Sequence, residues 1–213
     1  MTLNQDGMDQ PHAVAAELAR MYPDAGCALV HENPYELLVA TILSAQTTDE
    51  RVNTVTPQLF AKYPTPRDMA GADVEEVAQI VRPLGFHNRR SQQLQKMAKS
   101  LVEDFDSKVP SGRADLESLP GVGRKTAHVI MGNAFGIPAI TVDTHVGRLA
   151  KRLGWTSATT PLAIEKDIAK ALPGEDWTIL SHRLIWHGRQ VCHSRKPDCA
   201  NCALADLCPS AQI

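Results

Sequence analysis

The sequence predicts an all-α fold on three observations. Apolar residues recur at helical spacing along most of the chain. Pro64, Pro66, Pro83, Pro110, Pro120, Pro138, Pro161 and Pro173 fall between the apolar-periodic segments, where helices start or stop. No stretch alternates with the period of two that a half-buried strand needs. At 213 residues, 43% hydrophobic and 22% charged, the chain can bury a core without staples, and a disordered tail or a coiled-coil rod is excluded.

The elements follow in order. Residues 11–21 place Val14, Leu18 and Met21 on one helical face, and residues 34–45 carry Leu37, Leu38, Ile42 and Leu43, apolar enough for a central buried helix. Residues 49–63, 73–81 and 89–105 repeat the pattern, and Pro120 closes a short helix before another at 123–134. Helices at 144–153, 161–172 and 176–190 complete the series. A soft division is expected between a bundle at 34–132 and a second lobe made of 1–33 plus 133–213, with a cleft between the two lobes as the default site.

The longest stretch without a formal charge, 126–142, is interrupted by Gly132, Asn133, Gly136 and Pro138 and cannot span a membrane. The opening MTLNQDGMDQ is acidic and polar, unlike a signal peptide, so a cytosolic protein is expected. The net charge of -2 is unevenly spread: residues 1–80 hold 4 Lys/Arg against 12 Asp/Glu, residues 81–152 hold 12 against 6, and the remainder is balanced. Local potential attracts phosphates, so the basic middle is a candidate polyanion footprint or a solvated helical face.

The stretch Leu119-Pro120-Gly121-Val122-Gly123-Arg124-Lys125-Thr126-Ala127 carries the most chemistry. Gly121 and Gly123 permit a tight turn that leaves backbone amides open at the start of the next helix, and amides at the positive end of a helix suit a phosphate. It is not a Walker loop, which needs four residues between its glycines; a plain helix-turn-helix corner is the alternative. Lys125 lies in the first turn of that helix, in a field that favours the nucleophilic free amine, and Ala127, Val129, Ile130 and Met131 are expected to give it apolar surroundings. Further on, Asp143 in Val142-Asp143-Thr144-His145-Val146 has the flanks of a helix N-cap. A carboxylate facing a lysine would also supply the pair that attack at a sugar carbon requires: a nucleophile, and a group that stabilises developing positive charge.

Four of the five cysteines, Cys192, Cys199, Cys202 and Cys208, lie in the last 22 residues. Their C-x6-C-x2-C-x5-C spacing fits a zinc ribbon poorly, because a ribbon uses two close pairs set well apart, and it favours four thiolates wrapped around a [4Fe–4S] cluster. Arg195 and Lys196, inside the first loop, would then be held against phosphates. An electron carrier is the competing reading, though it would not need the preceding residues.

Together LPGVGRKTA, VDTHV and the terminal cysteines resemble the helix-hairpin-helix DNA glycosylases, specifically the endonuclease III branch, over residues 34–209. Leu43-Ser44-Ala45-Gln46-Thr47-Thr48-Asp49 is similar to that family's early helix-end motif. The resemblance implies an all-α helix-hairpin-helix glycosylase fold with a DNA-binding cleft between two lobes. It implies that the hairpin Gly121, Val122 and Gly123 holds a DNA phosphate, that Lys125 is the nucleophile with Asp143 as its partner, and that the cysteines bind [4Fe–4S]. It places a wedge at Phe86 in Leu84-Gly85-Phe86-His87-Asn88, where the family commonly has Leu, and has Gln46 fill the space of a flipped base. His145 is expected either to contact the DNA backbone or to be satisfied by a carbonyl. The implied activity is a bifunctional glycosylase and AP lyase that removes oxidised pyrimidines from double-stranded DNA through a lysine Schiff base and β-elimination, working as a monomer. An adenine mismatch glycosylase, a non-catalytic hairpin module and a cluster-based sensor are the alternatives; Lys125 opposes the first, and each of the others leaves part of the constellation idle.

Overall fold

The computed structural model describes residues 9–212, and among them every regular element is helical, as the periodicity predicts. The reading of the extreme N-terminus as unlike a signal peptide falls mainly on residues outside that range. In order the helices are α1 (Gln10–Met21), α2 (Pro34–Leu43), α3 (Asp49–Lys62), α4 (Pro66–Ala70), α5 (Val74–Val81), α6 (His87–Asp104), α7 (Arg113–Ser118), α8 (Arg124–Phe135), α9 (Thr144–Arg152), α10 (Pro161–Ala171) and α11 (Trp177–Gln190). Short 3-10 turns occupy Arg82–Leu84, Cys199–Asn201 and Ala205–Leu207. The periodicity misses α4, whose five residues are too few to show a period; its start is written instead in a capping box between Thr65 and Asp68 with Pro66 at the first position. No described helix is long and apolar enough to cross a membrane.

The chain divides into two compact units, residues 27–137 and residues 1–26 with 138–213. In the first, α2 is the centre. Tyr35 and every residue from Leu37 to Leu43 are buried, and α3, α6 and α8 pack around it. A helix buried on all sides carries apolar residues all round, which is why this segment reads as a run and not as a stripe. Asn33 fixes its start, its side-chain oxygen accepting from the Glu36 amide at 3.0 Å. Leu94, Met97, Ala98 and Leu101 of α6 and Ala127 and Ile130 of α8 complete this core, which sets the inner face of α8.

In the second unit α1, α9, α10 and α11 enclose Val14, Leu18, Val146, Leu149, Ile168, Leu180 and Leu184. Before α9 the chain runs without helix along α11. The Ala139 amide donates to Thr178 Oγ1 at 3.2 Å and the Thr141 amide to Ser181 Oγ at 3.0 Å. These bonds satisfy the extended backbone and deliver Asp143 to the start of α9.

Candidate functional site

Between α7 and α8 the chain turns on two buried anchors, Leu119 and Val122, which flank the exposed Gly121; Gly123 is exposed in turn. Gly121 has φ +84°, which demands glycine, and a Cβ there would lie 1.7 Å from Nε2 of Gln93, whose side chain would have to move. Gly123 differs: its φ is −98° and the space its Cβ would fill is open. Among the described residues no side chain caps α8. Val122 is buried, and its amide donates to Leu119 O at 3.1 Å, so its own N–H is taken within the turn. Lys125 is the second residue of α8 and is exposed. Of the apolar residues expected around its amine, Ala127 and Ile130 turn into the core, and Val129 and Met131 are partly buried against it. The helical period puts Ala127 and Ile130 on the face opposite the lysine, a placement that depends on where the core sits.

Asp143 is the N-cap of α9. Its Oδ1 accepts from the amides of His145 and Val146, both at 2.8 Å, and Oδ2 has no hydrogen bond among the described residues. The capping role is therefore real and uses one of two oxygens. His145 Nδ1 lies 3.2 Å from Arg148 Nη2. Arg148 Nη2 also donates to Gly188 O and Cys192 O, each at 2.9 Å. Gly188 is where α9 and α11 cross; a Cβ there would meet His145 Nδ1 at 2.9 Å.

Cys192, Cys199, Cys202 and Cys208 are free, half-buried, and line one pocket with Leu149, Leu153 and Leu204. Burial first, then the neighbouring cysteines, pushes the thiols of Cys202 and Cys208 up from the ordinary range. Among the described residues no three metal-ligating side chains are drawn together as a single ion requires. Arg152 donates from Nη1 to Cys192 Sγ at 3.1 Å and to His193 O at 2.7 Å, and from Nη2 to Ser194 O at 3.1 Å. His187, whose pKa burial pushes down to about 4, stands between the Tyr22 hydroxyl at 3.0 Å and Cys202 Sγ at 3.5 Å. Arg195 and Lys196 are exposed on the first loop of the cysteine segment.

Gln46 and Phe86 share a feature invisible in sequence. Both are exposed and both have left-handed backbone, with φ 62° and 49°. For residues that carry a Cβ this conformation costs about 1–2 kcal/mol. Phe86 is 66% exposed, an apolar ring left in water with nothing covering it. The buried Arg90 reaches the loops of both residues.

Arg90, Arg148 and Arg152 are the residues that sequence reasoning overlooks. Each reads as surface charge, and each proves to hold backbone carbonyls of distant segments. One signal is present: Arg148 and Arg152 stand four residues apart, on the same side of α9.

A family model described as HhH-GPD superfamily base excision DNA repair protein matches residues 39–174. The chain is 50% identical over 196 residues to Endonuclease III of Synechocystis sp., covering 92% of this chain and 90% of that protein. It is 46% identical over 199 residues to Endonuclease III of Bacillus subtilis, with the same coverage, 92% and 90%. Its backbone superposes with a TM-score of 0.89 on the structure of a trapped Endonuclease III–DNA covalent intermediate, an estranged-adenine complex, at 44% identity over 96% of this chain and 97% of that one.

Proposed function

Because the chain belongs to the HhH-GPD superfamily of base excision DNA repair proteins, and within it to the endonuclease III family, we propose that it excises oxidised or saturated pyrimidines by attack of the Lys125 amine and then cuts the strand at the resulting abasic site. The chain is a DNA glycosylase/AP lyase of base excision repair whose partner is double-stranded DNA. The observation that carries the residue assignment is the start of α8: an exposed lysine in the first turn of a helix that follows glycine and has no side-chain cap.

A phosphate at the turn Gly121–Gly123 before α8 fixes the strand next to Lys125, and the absence of a Cβ at Gly123 lets it approach. Lys125 Nζ bonds to the anomeric carbon as the bond to the base breaks. Asp143 stabilises the positive character on the sugar with the oxygen its cap leaves unused. The amine-bound sugar becomes a Schiff base, and β-elimination opens the strand on the 3′ side. A trapped covalent complex with DNA in the endonuclease III neighbour is what such an amine would leave. Phe86 enters the duplex as a wedge and Gln46 takes the place of the departing nucleotide; lost planarity in the damaged base lowers the cost of flipping it. His145 offers its ring, and Arg195 and Lys196 their charge, to the DNA backbone. One copy of the chain acts, in the cytoplasm.

The four cysteines fit a [4Fe–4S] group: all line one pocket, none is in a disulfide, and they are spread too widely for a single ion. When bound, the cluster supplies a four-thiolate cross-link and a redox-capable centre. The chain contributes the hydrogen bonds, from Arg152 to Cys192 Sγ and between His187 and Cys202 Sγ.

The test of the reading uses a duplex with one saturated pyrimidine, with borohydride present. Base release together with a covalent protein–DNA adduct is expected; release without an adduct would overturn the amine. Purified protein should also be yellow-brown with about four irons per chain, and colourless protein with one zinc would overturn the cluster.

A further inference from the structure

A buried arginine normally faces a carboxylate. Arg90, only 5% exposed, faces carbonyls instead. Its Nε donates to Gly85 O at 2.8 Å, and Nη2 to Ala45 O at 2.8 Å and Leu84 O at 3.3 Å, while Nη1 donates to Leu43 O. These acceptors lie in two segments far apart in sequence, the end of α2 with the loop that leaves it and the turn and loop that enter α6. Each loop presents one exposed, left-handed residue that is not glycine: Gln46 beside Ala45, and Phe86 beside Gly85. Strained residues persist only where the surroundings over-determine them. The planar fork of one guanidinium, bonded to both loops, supplies that constraint.

We infer that Arg90 is a positioning residue, whose single guanidinium locks the Gln46 and Phe86 loops into one register so that both side chains meet the duplex together. The inference rests on the proposal above that these two residues enter DNA. Lysine cannot substitute, because an ammonium is a point donor with three protons and no fork. Arg51, which holds Pro83 O at 2.9 Å, steadies only the second loop.

The chain holds four phenylalanines, so protein labelled with fluorophenylalanine gives one fluorine resonance each for Phe60, Phe86, Phe105 and Phe135. Arg90→Lys should shift or broaden the Phe86 resonance and leave the other three in place. It should lower excision from a paired duplex by about tenfold, while cleavage at a preformed abasic site stays within about twofold, since only the former needs the base expelled. In the Arg90→Lys background Phe86→Ala should cost less than it does in the native chain, because Arg90 acts through that ring. Movement of all four resonances, or parallel loss in both reactions, would mean that Arg90 is a fold element only, and would overturn the inference. Should Arg90→Lys not fold, Gln46→Val carries the test: a β-branched residue rejects positive φ, so the first loop must move and, through Arg90, displace the Phe86 resonance. A Phe86 resonance unmoved by Gln46→Val would overturn the coupling. The two proposals fail separately. If Phe86→Ala spares excision from paired DNA, the wedge is wrong and the fluorine coupling still reads Arg90. If Phe86→Ala is costly and Arg90→Lys is not, the positioning role is wrong alone.

Discussion

Helices α8 and α9 begin in opposite ways. The first turn of α8 follows Gly123 and has no side-chain cap; the first turn of α9 is closed by Asp143, one of whose oxygens takes two amides. Both starts have the same surplus of donors and the same positive end. The chain sets no side-chain cap at the first and neutralises the second with its own carboxylate. A single residue type at the cap position, glycine or aspartate, decides between the two.

The largest effect is expected at Lys125, which sits on the open start. Lys125→Gln should abolish borohydride trapping to abasic DNA and leave duplex affinity nearly unchanged, read by gel shift and by adduct formation. A surviving adduct would move the nucleophile elsewhere. At the closed start, charge and cap can be separated. Asp143→Asn keeps a capping side chain, so thermal stability should hold, while base excision falls on the order of 10² to 10³. Asp143→Ala should lose the same rate and, in addition, about 1 kcal/mol of stability measured by denaturant unfolding. Full excision by the Asn variant would reduce Asp143 to a cap.

The two glycines of the open start offer a smaller and more specific contrast. Gly123→Ala has backbone and space that accept a methyl group, so stability should change by less than about 0.5 kcal/mol, and any loss of DNA affinity signals an approaching phosphate. Gly121→Ala, with φ +84° and Gln93 in the way, should lose stability and affinity together. Equal behaviour of the two variants would show that the hairpin is merely a corner. The smallest effect is expected far from both starts. Replacing both Arg195 and Lys196 by Ala should flatten the salt dependence of binding, measured as the slope of log affinity against log salt, by about 0.9 for each phosphate left without its cation. The change should be alike for damaged and undamaged duplex.

Much of this is legible along the chain because the controlling interactions are local. Caps and prolines act within one turn, so helix ends at Met21, Pro34, Asp49 and Pro161 fall within a residue or two of where periodicity puts them. The Gly-Val-Gly spacing, the lysine behind it, Asp143 as a cap and the close cysteine series are likewise statements about neighbours in sequence. Each can be read without knowing where the core is.

Other features depend on segments distant in sequence and are set by packing. Lys125 stands exposed because Ala127 and Ile130 belong to a core built around α2, and no local pattern says which face of α8 that core takes. Phe86 and Gln46 share a left-handed backbone because a guanidinium buried beside them binds carbonyls on both loops. Arg148 and Arg152 reach from α9 to the backbone around Cys192 in the same manner. A carbonyl looks the same in every residue, so its pairing with an arginine forty or more positions away leaves no trace in sequence and is settled only when the helices pack.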